Sequence, residues 1–147
     1  MGWIDKLYGK TVGLDTAPLI YYIEENPVFL PLVDPFFDAM LRGDFEVVTS
    51  TMTITEVLVH PIQQNNAALA AIYREILQNA DHLRTVPFTA DIAEAAARLR
   101  ANHKIRTPDA IQAATAIAMK ADFFLTNDFT LSAILNPTVL VLENLMG

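Results

Sequence analysis

The chain has 147 residues, 52% of them hydrophobic, with 5 glycines and no cysteine. That apolar content excludes a disordered chain and suffices for one core but not two, so a single domain over residues 1–147 is expected, with no disulfide framework. The formal charge of −7 and isoelectric point near 4.7 argue against a protein that grips nucleic acid through basic side chains alone, unless bound cations supply the positive charge.

In chain order, Thr11 to Leu14 is a short apolar run ending at Asp15, which predicts a buried strand, and Pro18 favours a helix start for Leu19 to Glu24. Asn26, Pro27, Pro31 and Pro35 punctuate the next stretch. Phe36, Phe37, Met40 and Leu41 then repeat at helical spacing up to a stop at Gly43. Glu46 to Ser50 reads as a second strand. Thr53 to Val59 reads as a helix opened by a T-x-x-E capping box from Thr53 and Glu56 and closed or kinked at Pro61.

An alanine-rich helix is expected over Ala67 to Gln78, a weak strand over His82 to Pro87, and a long helix from Thr89 to about His103. Another helix starts at Thr107, with Pro108 first and Asp109 in its first turn, and ends near Ala121. Phe123 to Thr126 and Val139 to Leu142 complete the strands. Short apolar strands separated by helices, without hairpin dipeptides, predict an α/β fold with a mostly parallel central sheet flanked by helices. No repeat, linker, membrane-spanning run or export signal is expected, which makes a cytoplasmic protein the simplest reading.

Four carboxylates stand at element junctions: Asp15 in GLDTAPLIYYIE, Glu56 in TITEVLVHP, Asp109 in TPDAIQAATAI and Asp128 in FLTNDFTL. Asp15 and Asp128 lie at the carboxyl ends of predicted strands, where ligands collect in open α/β sheets, and Glu56 and Asp109 lie in the first turns of predicted helices. Brought to one rim they repel one another, and a hard divalent cation bound through oxygen relieves that repulsion. The pattern therefore points to metal-dependent phosphodiester cleavage by in-line hydrolysis. Each acid also has a structural alternative as a helix cap or turn residue.

Arg98, Arg100, Lys104 and Arg106 crowd ahead of Asp109 with His103 among them. They are either a solvated basic helix end or phosphate contacts, the second assigned to Arg100, Lys104 and Arg106. The 3 histidines lack zinc-site spacing, and no phosphate-loop, dinucleotide or nucleophile-elbow string occurs.

The order and spacing of these four segments resemble the PIN-domain ribonucleases, in particular VapC-type toxins of toxin–antitoxin pairs, over nearly the whole chain from Val12 onward. The resemblance implies a PIN-like three-layer sandwich in which Asp15, Glu56, Asp109 and Asp128 hold one or two Mg²⁺ or Mn²⁺ ions. Thr16, Thr126 and Asn127 would support them. It further implies RNA as substrate, cleavage to a 3′-hydroxyl and a 5′-phosphate, a homodimer and a cognate antitoxin. The sequence departs from many such toxins at Ala17-Pro18 and in its acidity. Two rivals stand beside this reading: a catalytically silent PIN-like binding module, for which Tyr21, Tyr22, Val28, Phe29 and Leu30 could form a partner face, and a housekeeping RNA-processing nuclease. A phosphate-accepting domain is disfavoured, because neither D-T-A-P nor F-L-T-N-D-F supplies its acid pattern.

Overall fold

The computed structural model describes residues 2–134 and 136–146. A 3₁₀ turn at Trp3–Leu7 leads into β1 (Thr11–Leu14), α1 (Thr16–Ile23), α2 (Leu30–Arg42), β2 (Glu46–Ser50), α3 (Met52–Gln63) and α4 (Ala67–Asn79). β3 (Leu83–Val86), α5 (Ala90–Asn102), α6 (Thr107–Ala118) and β4 (Phe123–Thr126) follow. A second 3₁₀ turn at Phe129–Ala133, β5 (Thr138–Val141) and the short α7 (Leu142–Leu145) complete the order. The five strands form one sheet, β3-β2-β1-β4-β5, with every pairing parallel. This is the three-layer α/β architecture expected. No helix among the described residues is long and apolar enough to cross a membrane.

Alternation along the strands divides the core between the two faces. Val12, Leu14, Val47 and Leu125 join Phe36, Phe37, Tyr73 and Leu77 from α2 and α4 on one side. Val48 and Phe124 join Ile92, Ala110, Ala113 and Ala116 from α5 and α6 on the other. On that second side Gly13 fixes the packing distance. A Cβ at Gly13 would lie 2.6 Å from Ala116 Cβ and 2.9 Å from Phe124 Cδ1, so α6 rests directly on the β1 backbone.

Several local expectations change. Pro31 and Pro35 do not interrupt α2. Pro31 sits in the first turn, where its missing N–H has no carbonyl to serve, and both prolines lie on the exposed side while Val33, Phe36, Phe37 and Met40 are buried. Gly43 ends α2 in the left-handed conformation at φ +85°, as its position suggested. The Thr53–Glu56 capping box does not form. α3 begins one residue earlier with Thr51 as its cap residue and runs through Pro61 to Gln63, which puts Thr53 in the buried interior and Glu56 in the second turn. Thr89 caps α5 as expected, its hydroxyl accepting from Ile92 N.

The close approach at Gly13 gives a direct test of packing. Gly13→Ala should destabilise the fold by about 1–3 kcal/mol through overpacking. Adding Ala116→Gly should recover part of that loss in urea unfolding.

Candidate functional site

The chain leaves β1 for β2 and β3 on one side and returns to β4 on the other, so the strand order reverses between β1 and β4. The carboxyl ends of the strands flanking such a reversal open into a crevice. Asp15 follows β1 there and Asp128 follows β4.

Asp15 caps α1. Its Oδ1 accepts from Thr16 N at 2.8 Å and its Oδ2 from Thr126 Oγ1 at 2.7 Å. It is 8% exposed. Burial pushes its carboxyl up to about 6, against the pull of the Thr126 and Thr16 donors, and the negative charges of Asp109 and Glu56 add to the rise. Thr126 also accepts from Asp128 N at 3.0 Å, so one buried hydroxyl joins the first and last acids.

Glu56 reaches the same rim from α3. Its Oε1 accepts from Thr16 Oγ1 at 2.6 Å. Asp109 enters from the first turn of α6, buried, with Oδ2 accepting from Arg106 Nε at 3.1 Å. Burial raises its pKa, Arg106 opposes the rise, and the charge of Asp128 and a hydrogen bond with it add to it. Asp128 is pushed up by its partial burial, but hydrogen bonds from Thr130 and Asp109 and the charge of Arg106 carry it below the ordinary value. The pair therefore titrates together, with the proton favoured on Asp109. Asp128 Oδ1 accepts from Thr130 N at 2.9 Å and Thr130 Oγ1 at 2.7 Å.

All four acids thus converge, Asp15 feeling Glu56 and Asp109, and Asp109 feeling Asp128. Thr16 and Thr126 bond to these acids directly. Asn127 does not: its amide donates to Tyr21 OH at 3.2 Å and its carbonyl accepts from Glu143 N at 3.1 Å, tying the rim to α1 and α7.

The three basic residues have different fates. Arg106 sits at the site, its charge acting on Asp109, Asp128 and Glu56. Arg100 braces the α5–α6 connection instead, donating to Ile105 O at 3.0 Å and Thr107 Oγ1 at 2.9 Å. Lys104 is exposed on that connection. Gln112, Thr53 and Thr49 form a buried polar layer beneath the acids. The sequence offered one signal for it, a glutamine inside the largely apolar run AIQAATAI.

Residues 12–134 match the PIN domain. The chain belongs to the PIN-domain family. Among solved structures it is similar to VapBC2 from Rickettsia felis bound to a DNA fragment from their promoter, at 18% identity and a TM-score of 0.68, covering 89% of this chain and 98% of that one. It is also similar to FitAcB from Neisseria gonorrhoeae, at 20% identity, a TM-score of 0.67 and coverage of 92% and 99%. VapC20 from Mycobacterium tuberculosis, described as a sarcin-ricin loop cleaving toxin, aligns at 16% identity with a TM-score of 0.62 and coverage of 78% and 86%. No significant match is found among proteins of curated function.

PIN domains generally use divalent metals, and the donor chemistry here fits one. The rim offers carboxylate oxygens, which suit Mg²⁺ or Mn²⁺, and two of the carboxyls are raised by burial and by neighbouring charge, a penalty that a cation between them would remove. Among the described residues no three of these side chains enclose an ion by themselves. Mg²⁺ is ordinarily held by one or two carboxylates, with water and phosphate oxygens completing its shell.

The burial of Asp15 predicts a pH-dependent stability in metal-free protein. Its native pKa of about 6 exceeds the ordinary value of 3.8, so the native state holds the proton more tightly and stability falls as pH rises between these values. The loss is complete above about pH 7 and amounts to about 3 kcal/mol. Asp15→Asn should remove most of this slope, leaving the variant at least as stable as wild type at pH 7.5 in chelator-treated thermal melts.

Proposed function

We propose that this chain is a divalent-metal-dependent nuclease that hydrolyses RNA phosphodiester bonds, and that it serves as the toxin of a type II toxin–antitoxin pair. The observation that carries the reading is the convergence of Asp15, Glu56, Asp109 and Asp128 on the reversal point of the sheet, with Asp15 pushed to about 6. Membership of the PIN family and the resemblance in fold to structures described as VapBC, FitAcB and toxin–antitoxin complexes support it.

Asp15, Glu56, Asp109 and Asp128 would hold one or two Mg²⁺ or Mn²⁺ ions. When bound, such ions supply positive charge to a phosphate and acidify water. The residues themselves do the positioning. Thr126 and the Thr16 amide orient both oxygens of Asp15. Thr16 holds one oxygen of Glu56, which leaves Oε2 for the ion or its water. Arg106 is tethered to Asp109 through Nε, and its remaining guanidinium N–H groups would meet a phosphate of the substrate. Lys104 would extend that basic edge. A homodimer and a cognate antitoxin belong to the same reading, the antitoxin being the partner named in the complexes it resembles.

The test is incubation of purified protein with single-stranded and structured RNAs in Mg²⁺, Mn²⁺ or chelator, beside Asp109→Asn. Cleavage should require the ion and fall to the chelated background in the variant. Cleavage indifferent to both would reject the mechanism, and metal binding without cleavage would favour a silent module. Arg106→Ala should raise KM for RNA and reduce the salt dependence of binding by about one counterion.

A further inference from the structure

Gln112 lies one turn beyond Asp109 in α6, in the layer beneath the acids, and is 2% exposed. Its Nε2 is 2.8 Å from Thr53 Oγ1 and 3.3 Å from Thr16 Oγ1. Its Oε1 is buried without a hydrogen-bond partner. A glutamine amide looks nearly the same when turned over, so its orientation has to be settled by the hydrogens around it.

Those hydrogens are committed one by one. Thr49 Oγ1 lies 2.9 Å from the carbonyl of Leu14, which has no proton, so Thr49 donates there. Thr49 must then accept from Thr53 Oγ1, 2.8 Å away. Thr53 has thereby used its one proton. On the other branch, Thr16 uses its proton on the carboxylate of Glu56. Both Thr16 and Thr53 can therefore only accept from Gln112, and the two N–H bonds of Nε2 serve both. Turning the amide over would place Oε1 against two oxygens with no proton left to share. An unpartnered buried carbonyl oxygen is destabilising, and the present orientation accepts that penalty.

We propose that Gln112 is a positioning residue for the metal site. Its two donors anchor the oxygens of Thr53 and Thr16, so that the Thr16 hydroxyl is fixed in the place from which its proton meets Glu56 and Glu56 is held at the rim. The geometric part of this stands on its own, and its consequence for metal and RNA rests on the nuclease reading above.

Two variants separate this from a merely structural role. Gln112→Met keeps the volume and removes both the donors and the orphaned oxygen. Gln112→Glu keeps the shape but carries at most one proton where two are needed. The expected results are a metal-free melting temperature for Gln112→Met near that of wild type, a Mn²⁺ dissociation constant raised about 10- to 100-fold by calorimetry, and kcat lowered by a similar factor with KM for RNA unchanged. In Thr16→Val the link is already cut, so Thr16→Val/Gln112→Met should be no worse than Thr16→Val alone.

In crystals of Gln112→Glu the Thr16–Glu56 contact should open beyond hydrogen-bond range. Wild-type Mn²⁺ affinity and kcat in Gln112→Met, or effects that multiply in the double variant, would overturn the proposal. If wild-type protein neither binds Mn²⁺ nor cuts RNA, the nuclease reading fails. The geometric claim is then decided by the Gln112→Glu crystals, where an unchanged Thr16–Glu56 contact would sink it.

Discussion

Burial of a carboxylate at the end of β1 is the constraint from which the rest of this molecule follows. Asp15 cannot be moved outward without abandoning its bonds to the Thr16 amide and the Thr126 hydroxyl. It cannot be ionised where it stands without meeting Asp109 and Glu56. A protein selected for stability alone would place an amide or an apolar residue there. Retaining an acid whose native environment resists its charge marks this rim as a candidate functional site, and a cation there would relieve the cost.

The rest of the fold delivers the other acids to that point. Gly13 lets α6 lie against the backbone of β1, which carries Asp109 and Gln112 to the same end of the sheet as Asp15. The reversal of strand order sets β4 beside β1, bringing Thr126 and Asp128 alongside. α3 starts immediately after β2 and leans Glu56 toward Thr16. Arg106, just ahead of α6, supplies a local positive charge in a chain whose net charge is −7. Whole-chain charge is thus a poor guide to this rim, where the sign of the field is set by a handful of groups.

Much of this was legible in the residues. β1, β2 and β4 were bounded correctly because each is a short apolar run with a polar or turn residue at its end, and a parallel sheet followed from strands separated by helices. The convergence of the four acids was legible for the same reason, since strand ends and helix starts share a rim in such a sheet. What failed was local chemistry with two solutions. T-x-x-E fits a capping box and equally fits a buried threonine one turn from a glutamate that reaches across to α1, and only packing decides between them. Pro31 and Pro35 looked like breaks because proline is costly inside a helix, yet the five buried side chains of α2 outweigh that cost. Arg100 was grouped with Arg106 by proximity in sequence, but its guanidinium turns back onto Ile105 and Thr107. Gln112 carried no assignable role until its neighbours from α1, α3 and β2 were known.

Asp15 and Asp109 carry an ionisation penalty that a divalent ion between the acids would relieve. Calorimetric titration of Mn²⁺ into the protein near pH 6, repeated in buffers of different ionisation enthalpy, measures the protons released on binding. The account predicts release of a substantial fraction of a proton near pH 6, falling away by pH 8 and sharply reduced in Asp15→Asn. Absence of binding, or binding that releases no protons near pH 6, would contradict it.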